Sequence, residues 1–570
     1  MGYQQRKMSR EEYESFLKKA AGEEPAGLVL KNATYLDVFT NSFKTNDIAI
    51  SHGNICGIGQ YSGKQEVDMT GKTVVPGFID AHIHIESTTV VPETFAKEAL
   101  KHGTCAVLTD PHEIANVMGI EGIKYMLEAS KDLPLDILFM FPSCVPSCEF
   151  DESGAVITAA DMEEFFDNPQ VYGVAELMDV NGVVSRRPEV LDKVVSAVKN
   201  DKLIDGHSPL VTGNRLNAYI AAGVLTDHEC TYMGEAMEKL GLGMWIMIRE
   251  GTAAQNLEEL LPLCREPYSS RCMFCTDDGH INYLMEEGYI DHIIRKAIKL
   301  GVDPVLAYKM ASYTAGDYFG LRNRGAIAPG FLADLVVLKD VKNVDIDAVY
   351  KSGYAITDEY LDEHCKSNIS PELKKKAHDT FHMPDITADM IRLEKEIPVL
   401  GLVEGQIVTT RRGFASRINV ENDILKAVVV ERHKNSGHIG VGFVTGYGMK
   451  KGAIATSVAH DAHNVIAIGV SDEEIAAAIN ELKKIGGGMI VCCEGKVLAK
   501  YPLPVAGLMS EVPAVEAKAM LDGVHEAAYK LGVNKGIDPF MTLSFTALPV
   551  IPEIRITTKG VLDVDKWKLV

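Results

Sequence analysis

With 570 residues this chain is too long for one hydrophobic core, so two or three domains are expected. Its 46% hydrophobic and 24% charged residues fit an ordinary soluble globular protein, and a formal net charge of −22 argues against nucleic acid or an anionic membrane as the main partner. No apolar run reaches spanning length and the first residues carry no signal-peptide core, so no membrane role and a cytoplasmic location are expected, with its 11 cysteines reduced.

In chain order, residues 1–26 predict a short amphipathic helix with a charged face. From Leu28 to Val75 short β runs separated by turn residues take over, and similar text returns at Gly325–Leu338, so residues 27–76 and 321–354 are expected to form one split β-sandwich domain. Between them, residues 77–320 alternate strand-like and helical runs. Strand ends are marked near His84, Asp110, Ser143, Met178, Ser208, Glu229, Glu250 and Asp278, with helices such as Pro92–Lys101, Pro188–Lys199, Asp291–Leu300 and Asp303–Tyr318. Eight β/α units in about 245 residues predict a TIM-like (β/α)₈ barrel in an α/β chain; a doubly wound open sheet is the alternative. Residues 355–398 read as a linker with short helices, and residues 399–570 as a C-terminal α/β domain.

The C-terminal ends of barrel strands converge on one mouth, where chemistry is housed. Pro76-Gly77-Phe78-Ile79-Asp80-Ala81-His82-Ile83-His84 places two imidazoles on one side of a strand end, since residues i and i+2 share a face. Later strand ends add Asp110, His112 and Glu113, then Glu176, His207, His228, Asp277 and Asp278. Singly, each has an ordinary structural explanation: Glu176 a turn cap, His207 a loop residue, Asp277 a helix N-cap. Jointly, nitrogen and carboxylate donors without a strand-tip cysteine suit a divalent ion such as Zn²⁺, Mn²⁺ or Fe²⁺. Of the close cysteine pairs, Cys272-x-x-Cys275 is the one worth weighing; its surroundings read as a buried strand, with redox or zinc use a minor alternative, while Cys492-Cys493 and Cys144/Cys148 read as apolar strand or loop residues.

His82-x-His84, a strand-four carboxylate, His207, His228 and a strand-eight aspartate resemble the amidohydrolase superfamily. More narrowly, PGFIDAHIHIESTT, TDPHEIANVMG, GVAELMD, DGHSP, TDHE and FCTDDGH are similar to the adenine deaminase family, and so is the stretch around GYGMKKGAIATSVAHDAHN and LPVAGLMS. The resemblance implies hydrolytic deamination of adenine at C6, giving hypoxanthine and ammonia, by a water activated between two divalent cations. It places His82, His84 and Asp277 on one cation and His207 and His228 on the other. Glu176 stands between them, where many relatives carry a carboxylated lysine. It also implies Mn²⁺ before Fe²⁺ or Zn²⁺, and a homodimer.

Asp277 is the expected proton acceptor and Glu113 a second proton carrier. Asp110, His112, Arg249, Glu250 and Asp278 are substrate-binding candidates by location alone; Asp110-Pro111 also reads as a turn, and Arg249–Glu250 as a structural ion pair. His460, Asp461 and His463 are accessory candidates, through a C-terminal domain expected to pack against the mouth and wall the pocket, with an extra metal as one option. A cyclic-amide hydrolase of the hydantoinase or dihydroorotase type is the alternative activity.

Overall fold

The computed structural model describes residues 8–570 except 253, 405 and 407. The start of the chain reading on residues 1–7 lies outside the described residues. A helix, Arg10–Ala20, follows, opened by a capping box between Ser9 and Glu12, with Phe16 as its buried residue.

Eight parallel strands form the centre: β1 (Phe78–Ile83), β2 (Thr104–Thr109), β3 (Asp136–Phe141), β4 (Val171–Leu177), β5 (Leu203–Gly206), β6 (Thr226–Asp227), β7 (Trp245–Arg249) and β8 (Cys272–Cys275). β1 to β5 pair in order, as do β6 to β8. Single parallel bridges, Ile204 with Val224 and Ile83 with Asp277, join the two sets at both seams and close the ring. Gly206 sits at one seam because a Cβ there would lie 2.2 Å from the Thr226 carbonyl oxygen.

The strands are apolar on both faces, as strands covered by helices must be. Ile79, Ala81, Leu108, Met140, Ala175 and Met273 fill the lumen, and Phe319 and Leu321 pack against them. Outside, helix Pro188–Lys199 starts on a proline at its first turn and buries Val190, Val194 and Ala197, spaced at helical period against the strands. The helix expected over Asp303–Tyr318 is two, Pro304–Met310 and Tyr313–Tyr318. The break has a partner: the Ala311 carbonyl accepts from the Ile79 amide and so ties the helical segment to the start of β1.

The split sheet forms from both flanks. Thr73–Pro76 pairs antiparallel with Leu335–Asp340, so chain segments before and after the barrel share one ladder. The long strand Ala26–Asp37 bends at Asn32, in the left-handed region at φ 57°, and pairs with Gly63–Asp68 on one side of the bend and Thr73–Pro76 on the other.

Short helices at Asp358–His364 and Pro371–Ala377 lead to an eight-stranded C-terminal sheet. Its strand Ile397–Leu402, within the segment read as linker at its start, pairs parallel with Ile439–Thr445. The stretch GMIVCCEGKVLA opens a hairpin, Gly488–Cys493 and Lys496–Pro502. Glu494 and Gly495, both at positive φ, make its two-residue turn. Helices Asp472–Lys484 and Ala514–Lys530 cover this sheet. Cys272 and Cys275 both lie in β8, three residues apart and therefore on opposite faces; neither is in a disulfide.

Candidate metal centre

Plain alternation along β1 would send His82 and His84 away from the lumen, because Ile79 and Ala81 already face it. A bulge solves this. β1 uses three steps from Asp80 to Ile83 where β2 uses two from Val107 to Thr109, so the parity flips and both imidazoles turn inward. β4 repeats the device: three steps from Val174 to Leu177 stand against two from Ile204 to Gly206, turning Glu176 inward beside Ala175. His207 and His228 need no bulge and follow their strands in register with inward neighbours, while Asp277, two residues past β8, is placed by a left-handed backbone at φ 59°. Asp80 pins the β1 bulge to β8 by accepting from Thr276 Oγ1 (2.5 Å), the Thr276 amide (3.2 Å) and the His82 amide (3.2 Å).

The side chains so aimed converge. His82 Nε2 and His84 Nε2 are 3.2 Å apart. Two nitrogens bound to one cation at about 2.1 Å stand about 3.4 Å from each other, so the spacing fits a shared ion. Asp277 Oδ1 lies 3.1 Å from His84 Nε2 and 3.7 Å from His82 Nε2. Glu176 straddles the site: Oε1 is 3.4 Å from His84 Nε2, while Oε2 is 2.7 Å from His207 Nδ1 and 3.3 Å from His228 Nε2. One carboxylate thus faces two sets of imidazoles with separate oxygens. His84 Nδ1 is 3.0 Å from the Asp110 carbonyl oxygen; donating there leaves the Nε2 lone pair for an ion.

The imidazoles divide electrostatically: against burial, the buried carboxylates raise His84, His207 and His228 above their ordinary values, and His82 alone of the four is lowered. Burial and the neighbouring His228 and His84 hold His82 well below its ordinary pKa, in the neutral form a ligand needs. Burial opposes charge on His228, yet Glu176 and Asp277 push it up to about 9. The carboxylates call for positive charge at their centre, which a divalent cation supplies. Burial would likewise raise Asp277, but Arg249 and the imidazoles hold it well below the carboxylate range.

Around this centre the other sequence candidates divide. His112 Nδ1 lies 2.9 Å from Asp110 Oδ2 and 3.4 Å from Glu176 Oε1, so both belong to the mouth. Asp278 Oδ1 accepts from Ser87 Oγ at 2.6 Å, and Glu113 Oε1 lies 2.9 Å from the same hydroxyl. Arg249 is committed behind the centre: it donates to Asp277 Oδ2 at 2.7 Å and forms a two-pronged pair with Glu229. Glu250 is not at the site. It follows β7 with the opposite parity, and its carboxylate is taken by Lys296 (2.6 Å) and the Leu257 amide (3.1 Å) among the outer helices, so no Arg249–Glu250 pair forms among the described residues. His460 and His463 reach the mouth from the C-terminal sheet and face Glu113, and Asp461 Oδ1 stands 3.9 Å from His112 Nε2.

Sequence reasoning missed three contributors. Glu229 follows His228 directly and holds Arg249; its signal was its place in TDHE. Ser87 joins Glu113 to Asp278; its signal was its place in PGFIDAHIHIESTT. Glu86, two residues past His84, accepts from the Ile114 amide, and burial together with Glu113 pushes its carboxyl up to about 8.

Residues 73–356 match the Amidohydrolase family, and residues 404–568 match the Adenine deaminase C-terminal domain. The chain is 44% identical over 563 residues to adenine deaminase 2 of Carboxydothermus hydrogenoformans, covering 97% of this chain and 98% of that one. It is 43% identical to the adenine deaminase of Clostridium acetobutylicum, with 97% and 99% covered, and 43% identical to that of Bacillus pumilus, with 98% and 99% covered. A barrel whose strand ends gather imidazoles about one carboxylate, joined to a second matched unit, agrees with these relatives along nearly the whole length: the chain belongs to the adenine deaminase family of the amidohydrolases.

Proposed function

We propose that the protein is an adenine deaminase, hydrolysing adenine at C6 to hypoxanthine and ammonia. The observation that carries this reading furthest is Glu176. It supplies a carboxylate of its own between the two imidazole sets, so the centre needs no lysine adduct to assemble.

In this reading His82, His84 and Asp277 would hold one divalent cation and His207 and His228 a second, with the Glu176 carboxylate available to both. When bound, such ions would lower the pKa of a water enough to supply hydroxide near neutral pH. Asp277 takes the water's proton; Arg249 grips its Oδ2 and leaves Oδ1 turned to the centre. Glu113 protonates the purine ring, and help of this kind is typically worth about 10²–10⁴-fold. Asp110, His112 and Asp278 are buried polar groups at the mouth, suited to matching the purine edge where unpaired donors and acceptors cost binding. His460, Asp461 and His463 wall the same space.

Manganese as the native ion, a homodimer and a cytoplasmic setting belong to the same proposal and follow the family resemblance. No helix among the described residues is long and apolar enough to cross a membrane. The division into a split β domain (27–76 with 321–354), a barrel (77–320), a linker (355–398) and a C-terminal domain (399–570) is supported by the strand pairing, although the last sheet begins at Ile397.

The test is to load apo-protein with Mn²⁺, Fe²⁺ or Zn²⁺ and follow adenine, adenosine, cytosine and a hydantoin-type cyclic amide. Ammonia release from adenine in preference to the others is expected. Ring opening of the amide with no release from adenine would overturn the assignment in favour of a cyclic-amide hydrolase.

A further inference from the structure

Two segments far apart in the sequence meet over the barrel mouth. Glu113 lies in the first turn of helix His112–Met118 behind β2. His460 and His463 lie in the turn between Ala453–Thr456 and Val465–Gly469 of the C-terminal sheet. The three are 1%, 4% and 0% exposed, so their mutual contacts are closed to bulk water. His460 Nδ1 stands 3.4 Å from Glu113 Oε1, and His463 Nε2 stands 3.7 Å from Glu113 Oε2. Oε1 also faces Ser87 Oγ at 2.9 Å, whereas Glu113 Oε2 and His463 Nε2 have no hydrogen-bond partner among the described residues. A buried donor and a buried acceptor therefore face each other, each unsatisfied, across a gap slightly too wide to bond.

The spacing resembles a third metal cage, but the protonation of His463 argues against it. The Ala459 amide donates to His463 Nδ1 at 3.2 Å, so that nitrogen must keep its lone pair. The neutral ring then carries its proton on Nε2, the atom aimed at Glu113. Burial first, then His460 and Arg432, hold the ring well below its ordinary pKa, so it stays neutral. An Nε2–H has no lone pair for a cation; it is a hydrogen-bond donor.

We infer that His463 is a positioning residue for Glu113: its Nε2–H engages Oε2 when substrate binds and leaves Oε1, beside Ser87 and His460, as the oxygen that exchanges the proton. This rests on the deaminase reading above. Acid–base contacts are often long in the free enzyme and tighten in the complex, and closing this one takes a shift of about 0.7 Å. The protons balance. As the water oxygen bonds to C6, its first proton goes to Asp277 and the Glu113 proton goes to a ring nitrogen. As the C6–N bond breaks, Asp277 returns its proton to the departing nitrogen, which leaves with the electron pair as ammonia. The remaining hydroxyl proton restores Glu113, and the new C6 carbonyl is hypoxanthine's.

A double-mutant cycle on the full-length, metal-loaded enzyme tests this. Glu113→Gln is expected to lower kcat on adenine by about 10²–10⁴-fold. His463→Ala should lower kcat at least about 10-fold with KM within about 2-fold, and His463→Gln, whose amide can still donate, should recover part of the loss. In the Glu113→Gln background His463→Ala should cost less than about 2-fold, since its effect runs through Glu113. Metal content should match wild type in every variant. A full, multiplicative loss from His463→Ala on top of Glu113→Gln, or an unchanged kcat in the single variant, overturns the inference. Should His463→Ala not fold, His463→Asn, too short to reach Glu113, reads the same coupling. Wild-type holoenzyme inactive on adenine defeats the underlying deaminase reading, and this inference with it.

Discussion

Arg249 shows how one side chain can matter without touching substrate. It lies between two buried carboxylates, donating to Asp277 Oδ2 and forking onto Glu229, and it is 5% exposed. Arg249→Met leaves both acids buried without their shared cation, and breaking such an arrangement costs about 3–5 kcal/mol. Arg249→Lys keeps the charge but cannot span both partners, so its loss should be smaller. Urea unfolding of the two variants beside wild type checks the order; a methionine variant as stable as wild type would show that the pairing contributes nothing net. Glu250, one residue on, was an equally plausible candidate in the sequence. Parity along β7 decides between the neighbours: Arg249 points where Met247 points, into the lumen, and Glu250 points out to Lys296. That distinction needs only a strand register, and the register was legible. What was not legible is which inward charges face one another across the ring, because partners such as Glu229 and Asp277 lie tens of residues apart.

At the scale of elements, periodicity carried the eight barrel strands, since each is a short apolar run ended by polar residues. The bulges in β1 and β4 were hidden. Each depends on the length of a neighbouring strand, which sequence alone does not align, and without them alternation would turn the His82/His84 pair and Glu176 the wrong way. The same logic explains the outer side of β6. Asp227 alternates with His228 and turns outward, where it accepts from Lys239 Nζ at 2.9 Å and the Ser208 amide at 2.7 Å. Burial would raise its carboxyl, but Lys239 and His228 overcome this and hold it down at about 2. The folded value lies below the unfolded one near 3.9, so this group adds stability above about pH 4 and loses it as pH falls toward about 2. The size is about 2–3 kcal/mol. Lys239→Met should remove that acid-side dependence and destabilise the protein at neutral pH as well, by stranding Asp227. Stability measured between pH 2.5 and 7 tests it; an acid limb as steep in the variant as in wild type would assign the dependence to other groups.

Across the whole molecule, the C-terminal domain grips the loop after β3, through a small three-stranded sheet of Ile554–Thr557, Gly560–Asp563 and Lys568–Leu569. Glu149 accepts from Trp567 Nε1 at 2.8 Å, Lys559 donates to the Glu149 carbonyl at 2.7 Å, and Phe150 packs edge-on against Trp567. Tyr501 donates to the Thr89 carbonyl at 3.0 Å, so both sides of the mouth are held by the same unit. Inside that clamp the candidate ligands His82 and Asp277 stand on β1 and just beyond β8, the two strands joined at the closing seam by the Ile83–Asp277 bridge. A cation shared by them would tie the ring at one of its two single-bridge seams, so binding it should stabilise the closed barrel. An ion present at 100 times its Kd stabilises the state that binds it by about 2.7 kcal/mol, and at 1,000 times by about 4.1 kcal/mol. A strong chelator should therefore lower the melting temperature of the barrel by several degrees, Mn²⁺ should restore it, and Glu176→Gln should blunt both responses. If calorimetry shows two transitions, that of the C-terminal sheet, which holds none of the six candidate ligands, should respond far less. If chelation removes bound metal and the barrel melts where it did before, the side chains gathered at the mouth do not act as a structural seam, whatever chemistry they perform.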